Sequence, residues 1–118
     1  PEPDVEAALA GAPAGVPVIL LAHQPRNARA NARAGVDLQL SGHTHGGHIL
    51  GLHLISRYVN QGFVSGWYTL DKGPNTPGEM RLYVSPGAGL WGGFPVRLGT
   101  PAEITRIVLR SAQVDAAR

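Results

Sequence analysis

With 118 residues and 43% apolar content, the chain is long enough to build one core and too short for two. Its formal charge of +2 comes from nine scattered arginines and one lysine, with no basic run interleaved with aromatics, so no nucleic-acid groove is indicated. There is no cysteine, which excludes a disulfide framework and a thiolate metal site. No apolar run is long enough to span a bilayer.

The chain begins Pro1-Glu2-Pro3-Asp4, and Met80 is its only methionine, which predicts a piece of a longer protein. Asp4 to Gly11 predicts a short helix, with Asp as cap and Gly as terminator. Val16 to Ala22 is a continuous apolar run, expected as a strand buried on both faces of a partly parallel sheet. It ends at His23-Gln24-Pro25. Arg26 to Ala34 predicts a surface helix whose Arg26, Arg29 and Arg33 form a solvated stripe, closed by Gly35. Val36 to Ser41 alternates apolar and polar, as a strand covered more fully on one face does.

Strand, helix and strand in this order make a βαβ unit, whose parallel strands end on the same edge. His23 and His43 therefore emerge side by side, where open α/β sheets place their ligands. The second strand runs into Ser41-Gly42-His43-Thr44-His45-Gly46-Gly47-His48. Neutral imidazole is a common metal ligand near pH 7, and the flanking glycines leave room beside the rings. His23, His43 and His45 are thus the candidate metal ligands, and His48 is a candidate substrate contact. His53, in an apolar run, reads as structural.

Beyond His48 the pattern turns irregular. Ile49 to Tyr58 is expected as a loop carrying a short strand. Phe63 to Leu70 and Met80 to Ser85 predict antiparallel strands joined by the turn-rich 71–78 connection. Pro86 to Pro95 is a glycine-laden loop whose Trp91 and Phe94 either line a cleft or pin the loop to the core. Arg57 and Arg97 have the bidentate chemistry for phosphate, and Ile104 to Arg110 predicts a last strand.

One absence matters. Between Val16 and Leu50 the only acid is Asp37, which starts its strand and so lies at the far edge from the histidines. Three histidines can complete a mononuclear zinc site, but a hydrolytic dinuclear site also needs carboxylates.

Leu21-Ala22-His23-Gln24-Pro25 followed by Leu40-Ser41-Gly42-His43-Thr44-His45-Gly46-Gly47 resembles the last two signature blocks of the calcineurin-like metallophosphoesterases. The likeness is strongest to the bacterial branch reading Ser-Gly-His-Thr-His-Gly-Gly. Leu82-Tyr83-Val84-Ser85 and Pro95-Val96-Arg97-Leu98-Gly99 also look like that branch. The resemblance implies an α/β/β/α sandwich of which residues 1–118 are the C-terminal portion, a βαβ unit followed by antiparallel strands. It also implies hydrolysis of a phosphomonoester, phosphodiester or pyrophosphate at two divalent ions, Mn, Fe or Zn, with His23 and His43 on one ion and His45 on the other. The blocks supplying the aspartates, the asparagine and the catalytic histidine precede the His-x-Pro block in this family and are absent here. The isolated chain is therefore expected to be inactive and to carry no catalytic residue of its own. Its substrate-side candidates are His48, Arg97 and Trp91, facing a phosphorylated small molecule or a lipid-linked substrate. The branch often has Gln where this chain has His48, and Ser-Arg-Gly where it has Ser85-Pro86-Gly87.

Two other readings stand beside this one: an interaction module that dimerises or exchanges strands through exposed edges, and a self-sufficient three-histidine zinc hydrolase. Related proteins often carry a membrane segment ahead of the catalytic domain, so membrane association of the longer protein is an expectation of the resemblance alone.

Overall fold

The computed structural model describes residues 3–47, 49, 51–90 and 96–111. Helix α1 (Val5–Leu9) starts where expected, with the Asp4 carboxylate accepting the Ala7 N–H at 2.9 Å. Strand β1 (Ile19–Leu21) leads through a 3₁₀ turn at Pro25–Asn27 into α2 (Ala28–Arg33) and on to β2 (Leu38–Ser41). The predicted crossover is present: β1 and β2 pair in parallel, Ile19 opposite Leu38 and Leu21 opposite Leu40. Strands β3 (Gly66–Asp71) and β4 (Glu79–Val84) form the predicted antiparallel hairpin.

The surprise is how the two halves join. The sheet order is β1-β2-β4-β3, so β4 inserts beside β2 and runs parallel to it, Leu38 opposite Arg81 and Ser41 opposite Val84. One mixed sheet results. The carboxyl ends of β1, β2 and β4 consequently share one edge.

Side chains on paired strands alternate between the two sheet faces. The inner face buries Met80, Leu82, Val84 and Leu70 against Ala28, Ala32, Val36 and Phe63, with Val5 and Leu9 of α1 packed on the rim. Gln39 and Ser41 also point inward. Their burial is compensated by a short polar chain, Asn31 Nδ2–H donating to Gln39 Oε1 at 2.8 Å and Gln39 Nε2–H to Ser41 Oγ at 2.9 Å. The Arg26, Arg29 and Arg33 stripe is exposed as expected, and the Arg29 guanidinium lies over the Phe63 ring.

Three expectations fail. Strand β1 is not buried on both faces: it is the sheet's first strand, and Ile19 is 44% and Leu21 77% exposed. The outward face carries these residues with Leu38, Leu40, Trp67 and Tyr83. Among the described residues, Glu103 and Thr105 reach that face through bonds to the Tyr83 hydroxyl. Residues 52–59 form helix α3 (Leu52–Val59) rather than a loop with a strand, because the segment repeats apolar positions at helical spacing and Asn60 closes it with an amide bond to Ser56 O at 2.8 Å. Ile104 to Arg110 is not a strand. Alternation makes a strand only where a neighbouring backbone takes its N–H and C=O groups, and no strand among the described residues pairs with it. Ile104 is left 92% exposed.

Candidate metal centre

Three loops meet at the carboxyl edge. The first two are stitched together by backbone bonds: Ala22 N–H donates to Leu40 O at 3.1 Å, and Gly42 N–H to His23 O at 3.0 Å. The third follows β4, where Ser85 N–H donates to Ser41 O at 2.8 Å. Each histidine loop is thus held by its neighbour, and the second also by its own turn.

Within the second loop the backbone is strained. His43 has φ 68° and His45 φ 48°, both in the left-handed region that L-residues with a Cβ rarely occupy. Such strain persists where surrounding contacts over-determine it, as happens at functional sites. Thr44 provides those contacts. It is buried between the two histidines, its hydroxyl donates to Val64 O at 2.5 Å, and its carbonyl accepts the Gly47 N–H at 2.8 Å. Gly46, at φ 65°, lies so close to the third loop that a Cβ would come within 3.3 Å of Pro86 Cβ and 3.4 Å of Thr100 Cβ.

His23 and His43 face one another, with His43 Nδ1 3.3 Å from His23 Nε2 and the ring planes at 79°. Two nitrogens bound to one tetrahedral zinc at about 2.0–2.1 Å are about 3.3–3.4 Å apart. The spacing therefore suits a shared cation as well as a hydrogen bond between imidazoles. Burial first, then the nearby charges of His23 and Arg26, hold His43 below the ordinary imidazole pKa. That favours the neutral, ligating form at pH 7.

His45 turns elsewhere. Its Nδ1 lies 3.2 Å from Gly89 O, so its ring belongs to the second and third loops rather than to the His23–His43 pair. Among the described residues, no three metal-ligating side chains converge on one point.

The chain is 41% identical over 111 residues to a transmembrane protein with metallophosphoesterase domain from Bos taurus, an alignment covering 92% of this chain and 23% of the relative. An uncharacterized metallophosphoesterase of Campylobacter jejuni is 45% identical over 92 residues, 78% of this chain and 22% of the relative. Another, from Bacillus subtilis, is 34% identical over 112 residues, 92% and 36% respectively. These relatives, 34–45% identical over most of this chain, are named metallophosphoesterases, which supports the calcineurin-like metallophosphoesterase family. The chain spans between 22% and 36% of the length of these relatives. No family model and no solved structure matches it. Relatives in Bos taurus and Danio rerio show that the similarity is not confined to bacterial proteins; both are named transmembrane proteins. Among the described residues here, no helix is long and apolar enough to cross a membrane.

Of the other residues marked in the sequence, His48, Trp91 and Phe94 lie outside the described residues, and so does the side chain of His53. Arg57 lines a hollow with Gly46, Tyr68 and Thr100, on the side of the His45 turn shared with α3. Arg97 is half-buried, and its two Nη groups donate to six carbonyl oxygens, while its buried Nε–H has no partner among the described residues. Sequence reasoning missed Thr44, Gln39 and Gly89. Gln39 carried a misleading signal, since it stands on the polar side of the alternation in 36–41; Gly89 carried none, because its role lies in a backbone oxygen.

Proposed function

We propose that this chain is the histidine-bearing part of a metal-dependent phosphohydrolase acting on a phosphomonoester, phosphodiester or pyrophosphate. His23 and His43 hold one divalent ion and His45 a second, with carboxylate ligands supplied by residues outside this chain. The reading rests chiefly on the His23 Nε2 and His43 Nδ1 pair, 3.3 Å apart at the ends of adjacent parallel strands. Bound Mn, Fe or Zn ions would supply an activated water and would offset charge on the phosphoryl oxygens.

The residues present have separable tasks. Gly42 N–H, on His23 O, keeps the two histidine loops in register. Thr44 turns its neighbours toward the solvent side, and Gly46 allows the third loop to close over the turn. Arg26 lines a cleft of about 430 Å³ with His23, Gln24 and Asn27, where a cation beside the ligands favours an anionic phosphorylated substrate, small or lipid-linked. Without its carboxylates the isolated chain binds metal weakly and turns over nothing. A site made of His23, His43 and His45 on one zinc is disfavoured by the turn of His45 toward Gly89.

The test is metal content and phosphodiesterase turnover of the whole protein and its variants. His23→Ala and His43→Ala should each lose the same ion and about 100-fold or more in turnover, since a catalytic metal contributes several kcal/mol. His45→Ala should lose the other ion. Full turnover by all three variants would overturn the reading.

A second reading draws on the outward sheet face, where Leu21 is 77% and Trp67 49% exposed. In the whole protein the rest of the sandwich covers it; in the isolated chain a second copy does, by pairing or strand exchange. Light scattering over a concentration series separates these, a strictly monomeric isolated chain arguing against self-association. Membrane attachment of the whole protein, through a segment outside these residues, is checked by fractionation.

A further inference from the structure

We propose that Arg97 is a positioning residue, whose guanidinium fixes His45 in the tautomer and orientation that present Nε2 to a divalent cation. The proposal rests on the reading of His45 as a metal ligand and adds to it what sets that ligand.

The observation is a carbonyl cage. Arg97 Nη2 donates to Pro86 O at 2.8 Å, Gly87 O at 2.9 Å and Gly89 O at 2.6 Å. Nη1 donates to Pro101 O at 3.2 Å and to Thr100 O and His45 O at 3.4 Å. One planar cation thereby ties the His45 backbone, the loop after β4 and the 100–101 segment to a single centre. Two Nη groups carry four N–H bonds and six acceptors surround them, so both Nη groups are engaged, while the buried Nε–H has no partner among the described residues.

Gly89 O is the shared atom. It accepts from Arg97 Nη2 and lies 3.2 Å from His45 Nδ1. A carbonyl oxygen can only accept, so the His45 proton must sit on Nδ1, which places the ring's lone pair on Nε2. Metal-binding histidines are commonly set this way, by a carbonyl on the other ring nitrogen. What is particular here is that the carbonyl belongs to an exposed loop whose other described anchors are Gly87 N–H on Ser85 Oγ and Glu103 N–H on Gly87 O. Arg97 supplies the bond at Gly89 itself. Lysine cannot replace it, because one ammonium cannot reach carbonyls on both sides of the cage.

The experiment uses the whole protein with Arg97→Lys, Arg97→Gln and His45→Ala variants, thermal midpoints being measured for each. Long-range ¹H–¹⁵N correlation spectra of the metal-free protein report the His45 tautomer, and titration with Mn²⁺ alone reports each ion's affinity. The wild type should show the Nδ1–H form. Both Arg97 variants should show mixed tautomers and about 10- to 100-fold weaker binding of the His45-dependent ion, as for loss of an outer-shell partner. The His23–His43 ion should keep its affinity, and added guanidinium should restore part of the loss in Arg97→Gln. An Nε2–H tautomer in the wild type, or both ions weakened equally as the midpoint falls, overturns the proposal. Unchanged metal content in His45→Ala instead overturns the underlying ligand assignment.

Discussion

Strand β2 carries a polar cluster at each end, and the two are built on opposite terms. At its foot, Asp37 accepts the Val18 N–H at 2.7 Å and pairs with the Lys72 ammonium, which also reaches Gly35 O at 3.5 Å. Opposite charges and complementary dipoles meet there. At its head, ring nitrogens face a ring nitrogen or a carbonyl, on left-handed backbone. The foot is complete within the chain. The head holds strain of about 1–3 kcal/mol per residue, and on the proposed reading it serves to hold a cation.

The largest effect should separate the two ends outright. His43→Gly removes a proposed ligand and relaxes φ 68°. In the whole protein, turnover should fall by about 100-fold or more. The thermal midpoint should hold or rise, because the left-handed conformation costs a residue with a Cβ roughly 1–2 kcal/mol. A midpoint lowered by several degrees would put His43 on the stabilising side of the comparison.

Next, Gly46→Ala should cost about 2–3 kcal/mol in urea unfolding, since positive φ and close contacts to Pro86 and Thr100 act together. Unchanged stability would mean that the third loop parts freely from the turn.

A smaller and pH-dependent effect belongs to the foot. Burial pushes the Asp37 carboxyl up, but the Lys72 hydrogen bond, the Val18 N–H and the Lys72 charge outweigh it and hold its pKa below the ordinary value. A depressed folded pKa stabilises above the unfolded value, near about 4, and the contribution is lost as pH falls through the folded value. Asp37→Asn should therefore cost at most about 1 kcal/mol at pH 7, its carboxylate being partly exposed. The gap from wild type should close on acidification below about pH 4. A gap that widens there would reverse the sign.

Smallest is Leu21→Ser on the outward face, within about 0.5 kcal/mol for this chain alone, because Leu21 is already 77% exposed. A much larger cost in the whole protein would show that face to be covered there.

Much of this was legible beforehand. The apolar run before His23, the alanine-rich crossover and the alternation of 36–41 led to a parallel pair whose ends bring His23 and His43 together, as they do. The hairpin of β3 and β4 was legible from its turn residues. The insertion of β4 beside β2 was not, since nothing local states which edge a strand will join. Helix α3 was missed although its apolar positions repeat at helical spacing, and its burial was not legible: Leu54, Ile55 and Tyr58 are exposed, while Ser56 and Asn60 are buried. The direction of His45 could not be read, as its partner carbonyl lies 44 residues away.

The sequence by itself determined β1, β2 and the β3–β4 hairpin, though not α3, and which imidazoles stand at strand ends, because these depend on neighbours within a turn or a pleat. Tertiary structure alone decided which loops meet, that two histidines share one point while the third looks to Gly89, and that Arg97 is enclosed by carbonyls. Those outcomes depend on backbone atoms far apart along the chain, and a carbonyl oxygen is the same in every residue.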